Sequence, residues 1–494
     1  EHRYRVRALG RAHTWSPLAL ASTPARSPRV LLVDTTRHLT RMRVAGAGPA
    51  AIVTQTGATM DELLAHLEAA GLGLTAYPAP GDLTVGGVLA IDGHGTAIPA
   101  RGEKRARGQS FGSLSNQVLS LTAVVWSERR RRYVLRTFDR DDPACGALLT
   151  HLGRAFVTSV TLRAGPLRHL RCLSRTDVPA DELFGSPGTR GETFASFLEA
   201  NGGVEAIWYP FTDAPWLKVW TVSRRRPASS RAVTRPYNYP FSDTLTEAEQ
   251  QAIRRRILSD PSEAVSLGAE SYADTVAGLS AEDSADIWGA SKDVLLYVRP
   301  QTLRVTANGY TILTRRRDVQ RVISEFVGRY RDVVARYRAR DLYPFNMPVE
   351  IRVSGLDHPR DIGVDGAQPA LLSALSPRRD HPEWNVAVWL DILSFPGTPG
   401  ANRAYRDIER WMFANYRPPY ATIRPEWSKG WGYTERGAWT NHRMITRTLP
   451  HEFRVARPRD RTWDAAVSTL DRLDPHGVFT SPLLRSLLRP AVRH

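Results

Sequence analysis

The chain has 494 residues, too many for one compact core, which points to two or three domains. Hydrophobic residues at 42% and charged residues at 24% match an ordinary globular protein, and no run approaches the ~20 apolar residues that span a bilayer. A net charge of +17 raises a polyanion as partner, but the arginine runs at 129–132, 224–226, 254–256 and 315–317 are scattered and form no stripe, so no nucleic acid is expected.

Cys145 and Cys172 are too few for a disulfide framework or a thiolate metal site, so two buried free thiols and no metal are expected. No charged-then-apolar leader follows Glu1. Any signal peptide has been removed or was never present, and secretion is the expected localisation.

Residues 3–9 alternate like a strand and run into a turn at 10–13. Residues 29–33 and 51–55 are predicted as further strands. Residues 60–69 have helical spacing, with Asp61 and Glu62 in the first turn and Gly71 as C-cap. Between Pro78 and Gly95, glycine, proline and small residues predict a loop approached closely by a ligand. Residues 119–126 and 133–138 form a hairpin around the basic turn at 128–132, in an α+β domain ending near 160–162. From about 168 to 440 aromatic density rises. Strands at 218–222 and 386–393 alternate there with helices at 247–258, 319–338 and 403–416, which reads as a sheet covered by helices. Residues 225–236 are the best candidate for a mobile loop, and a last helix, 463–473, breaks at Asp474-Pro475.

The segment 78–96 carries most information. Gly81, Gly86, Gly87, Gly93 and Gly95 would let main-chain amides approach a bulky anionic ligand, with Pro80 and Asp82 beside them. His94 sits between two glycines on a sterically open turn, although a bare Gly-His-Gly is also what an ordinary loop histidine looks like. Gly10, Arg11, Ala12 and His13 form a second such turn upstream. Ser110, Gly112, Ser113 and Asn116 offer small donors downstream. This order resembles the FAD-binding domain of the vanillyl-alcohol oxidase family, the PCMH-type fold. The resemblance implies FAD bonded covalently to His94 and extends to residues 153–160, with Val157, and to 474–479, with Phe479. It implies FAD-binding residues 1–165 lacking the family's first βαβ stretch, a substrate cap at 166–440 with a mixed or antiparallel sheet, and a return to the FAD domain at 441–494.

Glu350 and Arg352 stand two apart in a strand-like run and so share a face, as a surface pair of little energetic weight would also do. Residues 348–352 resemble the Glu-x-Arg pair of the covalent-flavin cholesterol oxidases. Residues 204–211, 237–243, 286–293 and 424–431 are similar too, so the likeness spans nearly the whole chain. It implies that Arg352 faces the flavin, that Glu350 forms a switchable ion pair with it, that Glu205 is an active-site carboxylate and that Lys429 lies beside the flavin. Two residues depart from the pattern: Asp391 stands where an asparagine is expected, and Ala307, after 302–306, where a glutamate is expected. Asp391 is then either a pocket acid of raised pKa or a satisfied structural one.

The resemblance implies a sterol 3-hydroxyl oxidase that uses O2, releases H2O2 and isomerises cholesterol to the 4-en-3-one. Transient contact with a membrane surface and a monomeric state accompany that expectation. Sugar alcohols or aldonolactones are the alternative substrates, but Trp208, Tyr209, Phe211, Trp216 and Trp220 favour an apolar pocket. A flavin dehydrogenase that excludes oxygen and a non-catalytic protein binding polyanions or membrane surface are the rivals.

Overall fold

Two antiparallel arrays of alternating strands organise the computed structural model, which describes residues 4–20, 29–45, 49–105, 108–236, 246–297 and 305–489. The first has five strands in the order Met42–Val44, Ala51–Gln55, Phe156–Arg163, Val118–Ser127 and Arg132–Asp139. The helix Met60–Ala69 packs beside it and buries Met60, Leu63, Leu64 and Leu67. Thr59 and Glu62 close a capping box at its start, and Gly71, at φ +68, follows its end. A parallel pair, Arg5–Leu9 with Val30–Asp34, lies at the N-terminal edge. The helix Trp463–Leu473 returns to this half against Val118–Ser127, and the buried Asp474 behind it takes Arg154 at 2.5 Å.

The second array has nine strands, ordered Arg231–Ala232, Asp286–Ala290, His169–Arg175, Trp216–Val222, Gly203–Trp208, Val349–Gly355, Val386–Ser394, Thr306–Thr314 and Thr422–Pro425. All neighbours are antiparallel except the first pair. Side chains alternate across a strand. Val349, Ile351 and Val353 therefore enter the core beneath the helix Val319–Arg338, while Glu350 and Arg352 point to the other face. An α+β architecture with a helix-covered sheet was the expectation, and it is what forms.

Two local readings change. The stretch 78–95 is not all loop: Val85–Ala90 is helical, capped by the Thr84 hydroxyl on Gly87 N. Two glycines oppose a helix locally, and the cap with burial of Val85, Val88 and Leu89 overrides them. Within 225–236, Arg231–Ala232 pairs with Asp286–Ala290 and Ser230 Oγ donates to Asp286 at 2.7 Å, so part of that candidate mobile loop joins the sheet. Residues 237–243 and 302–304, on which part of the resemblance rested, lie outside the described residues. Cys145 and Cys172 are buried and free, as expected. Among the described residues no helix is long and apolar enough to cross a membrane, and no group of His, Cys, Asp or Glu is placed to hold a metal ion.

Candidate active site

Strand register assembles the charged side chains. Across four adjacent strands Lys218 lies opposite Glu205, Glu205 opposite Arg352, and Arg352 opposite Trp389. Directly opposed residues in antiparallel strands share a face, so these four form one row. A second row places Glu350 opposite Asp391 and Asp391 opposite Gly309. Thus Glu205, Glu350, Arg352 and Asp391, read from separate parts of the sequence, converge. Lys429 joins them from the loop after Thr422–Pro425.

Arg352 is the hub. Its Nη1 lies 3.1 Å from Glu350 Oε2 and 3.4 Å from Glu205 Oε1, and its Nη2 donates to Asp391 Oδ2. Lys218 Nζ stands 3.6 Å from Glu205 Oε2, and Lys429 Nζ 3.5 Å from Asp391 Oδ2. Burial alone would favour neutral Arg352, but Asp391, Glu350, Glu205 and Glu426 outweigh it and hold the guanidinium charged. For Lys429, too, burial is overcome by Asp391, Glu426 and Glu350. Burial and the neighbouring Glu426 push the Asp391 carboxyl up to about 7, against the pull of Lys429 and Arg352. Both halves of the sequence reading of Asp391 thus hold in part: its pKa is raised, yet it is fully buried beneath the two cations and does not line the cavity.

That cavity measures about 1760 Å³ and separates the charged face of the nine-stranded sheet from the segments 7–20 and 74–98. One small-molecule site commonly takes ~300–1,000 Å³, so there is room for a large cofactor and a substrate together. Glu205, Glu350, Arg352, Lys218 and Lys429 line it, with Ala307 at its wall. His94 enters from the 74–98 segment and reaches the sheet itself. Its ring stacks on Trp389 with centroids 3.6 Å apart and planes 5° from parallel, and Nδ1 donates to Gly95 O at 3.0 Å. Burial and the Arg352 charge hold the imidazole down to about 3, so it is neutral at any working pH.

The predicted cofactor contacts divide. Gly10, Arg11, Ala12, His13, Pro80, Gly87, Gly93, His94 and Gly95 line the cavity. Backbone N–H groups from Gly10 to Thr14 find no acceptor among the described residues, and Ala12 turns at φ +56. Such a concave run of amides suits an anionic group such as a diphosphate. A Cβ at Gly10 would collide with Thr84 Oγ1, which is why glycine stands there. His13 Nε2 reaches Asp82 Oδ2 at 2.6 Å and ties the two segments together.

Other glycine amides serve the protein instead of a ligand. Gly81 N donates to Tyr297 O, Gly86 N to Thr56 O and Gly93 N to Val88 O, each at 2.8 Å. Gly81, Asp82, Gly86, Ser110, Gly112, Ser113, Asn116, Val157 and Phe479 do not line the cavity. Ser113 is held by buried Asp357 through both its amide and its hydroxyl at 2.7 Å. Asn116 bonds Ser110 and Arg140, Val157 O accepts Thr56, and Phe479 N donates to Asp474. Tyr209, Trp216 and Trp220 face the cavity, whereas Trp208 packs on Phe184 and Tyr330, and Phe211 on Tyr343.

Reading the sequence did not find Trp389, Lys218 or Glu426. The row of opposed residues is the signal for the first two, and it exists only once register is known. A large cavity lined by free amides, a neutral imidazole and the cations Arg352 and Lys429 fits FAD: the 10–14 turn would hold its phosphates, and His94, Arg352 and Lys429 would lie beside its ring.

A family model described as "Cholesterol oxidase, substrate-binding" matches residues 169–489. A solved "Solvent-stable cholesterol oxidase" is 53% identical, with TM-score 0.96 over 98% of this chain and 90% of that one. A cholesterol oxidase from B. sterolicum is 42% identical, with TM-score 0.94 over the same shares of the two chains. A berberine bridge enzyme variant at 11% identity and TM-score 0.56, covering 99% of this chain and 86% of that one, shares the fold. No curated protein sequence matches the chain.

Proposed function

The chain belongs to the cholesterol oxidase family, and from that premise we propose how it oxidises the 3-hydroxyl of a sterol to the ketone. FAD, when bound, supplies the hydride acceptor. The observation that carries the reading is the row of Lys218, Glu205, Arg352 and Trp389 along one wall of a cavity that Tyr209, Trp216 and Trp220 also line.

Glu205 is the general base. It faces the cavity between Lys218 and Arg352, and it accepts the proton of the sterol hydroxyl. Glu350 pairs with Arg352 and steadies the guanidinium. Asp391 is no base, because it has no surface on the cavity. Arg352 and Lys429 keep fixed positive charge on the cavity wall, where they would face the ring of a bound FAD. His94, neutral and held flat against Trp389, keeps a lone pair on one ring nitrogen and is the attachment point for a covalent flavin. The apolar walls exclude water and orient the fused rings of the substrate.

Molecular oxygen is the terminal acceptor and hydrogen peroxide the second product. With cholesterol, once the hydroxyl proton has left Glu205 and been consumed in forming hydrogen peroxide, the freed carboxylate carries a proton from C4 to C6, giving the conjugated 4-en-3-one. The enzyme is a secreted monomer that draws sterol from a membrane surface in passing contact. Peroxide release with cholesterol against xylitol tests the substrate class: turnover of cholesterol alone supports it, and turnover of xylitol alone overturns it.

A further inference from the structure

Two buried carboxyl groups stand side by side with one oxygen each left over. Asp391 Oδ2 receives Arg352 Nη2 and lies 3.5 Å from Lys429 Nζ, but its Oδ1 has no hydrogen-bond partner among the described residues. Glu426, 8% exposed, accepts Ser428 Oγ on Oε1 at 3.1 Å, while Oε2 has only Arg352 Nη2 at 4.0 Å. The backbone explains their proximity. Gly309 is opposite Asp391 in the ladder, and its carbonyl accepts Glu426 N at 3.1 Å. A Cβ there would lie 2.5 Å from Asp391 Oδ1 and 2.6 Å from Lys429 Cγ, so a residue without a side chain is what leaves room for the Asp391 carboxyl beside the 426–429 loop.

Two ionised carboxylates in this place would present acceptor to acceptor and repel. One proton turns the same contact into an O–H···O bond and gives both stranded oxygens a partner. We propose that Asp391 and Glu426 share a single proton and act as a positioning pair that holds Arg352 and Lys429 against the cavity wall.

The groups around them agree. Arg352 and Glu350 face the pair from Val349–Gly355, Lys429 from its own loop, and Glu205 and Lys218 from the next two strands. His94, beyond Trp389, is neutral. Arg352, Lys218 and Lys429 thus meet Glu205, Glu350, Asp391 and Glu426, and one proton balances the charge. Burial with Glu426 nearby raises the Asp391 carboxyl, as this arrangement requires. The inference does not depend on what the cavity binds.

The test uses the full-length holoprotein with D391N and E426Q, in which a side-chain amide can donate where the proton sits. Infrared difference spectra between parent and variant are recorded from mildly acidic to alkaline pH. Differences are needed because Asp92 and Glu409 are also pushed up to about 7 by burial. The expected result is a protonated-carboxyl band in the parent, lost in both variants and fading as pH rises through about 7. A raised folded pKa gives stability that is full below the unfolded value and lost as pH rises through the folded one. The Tm of the parent should therefore fall behind that of D391N progressively towards alkaline pH. Spectra in which neither variant loses a band, or a Tm gap that stays flat with pH, would overturn the proposal. Failure of both amide variants to fold would also overturn it, since each keeps a donor between the same two oxygens.

Discussion

The His94 loop and the Arg352 wall line one cavity and touch where His94 stacks on Trp389, yet they are built by opposite means. The loop is local: a handful of neighbours, from Asp92 to Gly95, position a ring that needs no counter-charge. The wall is long-range: residues 205, 218, 352, 389 and 391 come from four strands and meet only because register brings them opposite one another. The local part should therefore tolerate change with little loss of fold. The wall is a closed set of charges in which each change strands a partner.

Substitutions of the wall should give the largest effects. E205Q keeps the shape of the base and removes its proton acceptance, so kcat should fall by on the order of 10²–10⁴-fold. E350Q, altering a partner of Arg352 instead, should cost less than about 10-fold, and steady-state kinetics on the two variants decides between them. R352A leaves three carboxyls without their shared cation. Removing one partner from buried pairs costs about 3–5 kcal/mol, so denaturant unfolding should report that loss alongside a kcat drop of on the order of 10²–10³-fold. G309A forces a methyl to within 2.5 Å of Asp391 Oδ1 and 2.6 Å of Lys429 Cγ. Overpacking of this kind costs about 1–3 kcal/mol, and melting curves should show it.

The loop should respond differently. H94A removes one ring stack, about 0.5–1.5 kcal/mol, and should leave a folded protein whose flavin is released by acid. Smallest of all, replacing the exposed arginines at 129–132 by serine should move stability by no more than about 0.5 kcal/mol and leave turnover unchanged. Loss of activity there would revive the polyanion reading.

The same contrast explains what was legible in the sequence. His94 and the Glu350–Arg352 pair each sit in a short stretch that resembles the family, which singles them out where flanking glycines or strand parity alone would not. Trp389 looks like any core tryptophan in an apolar strand, and Glu426 like any loop acid, until register and Gly309 place them. Ser110, Gly112, Ser113 and Asn116 show the converse ambiguity. Small polar residues suit a ligand cradle and an internal network equally well, and here buried Asp357 and Arg140 take them. The helix Val85–Ala90 was hidden because its glycines argue against a helix while its cap and core contacts decide for one.

Peptide mapping of the acid-precipitated protein by mass spectrometry tests most directly whether His94 carries a flavin. The predicted result is a yellow pellet and a peptide spanning His94 heavier by one bound flavin, with that mass absent from H94A. An unmodified peptide, with all the colour left in the supernatant, would contradict the tether.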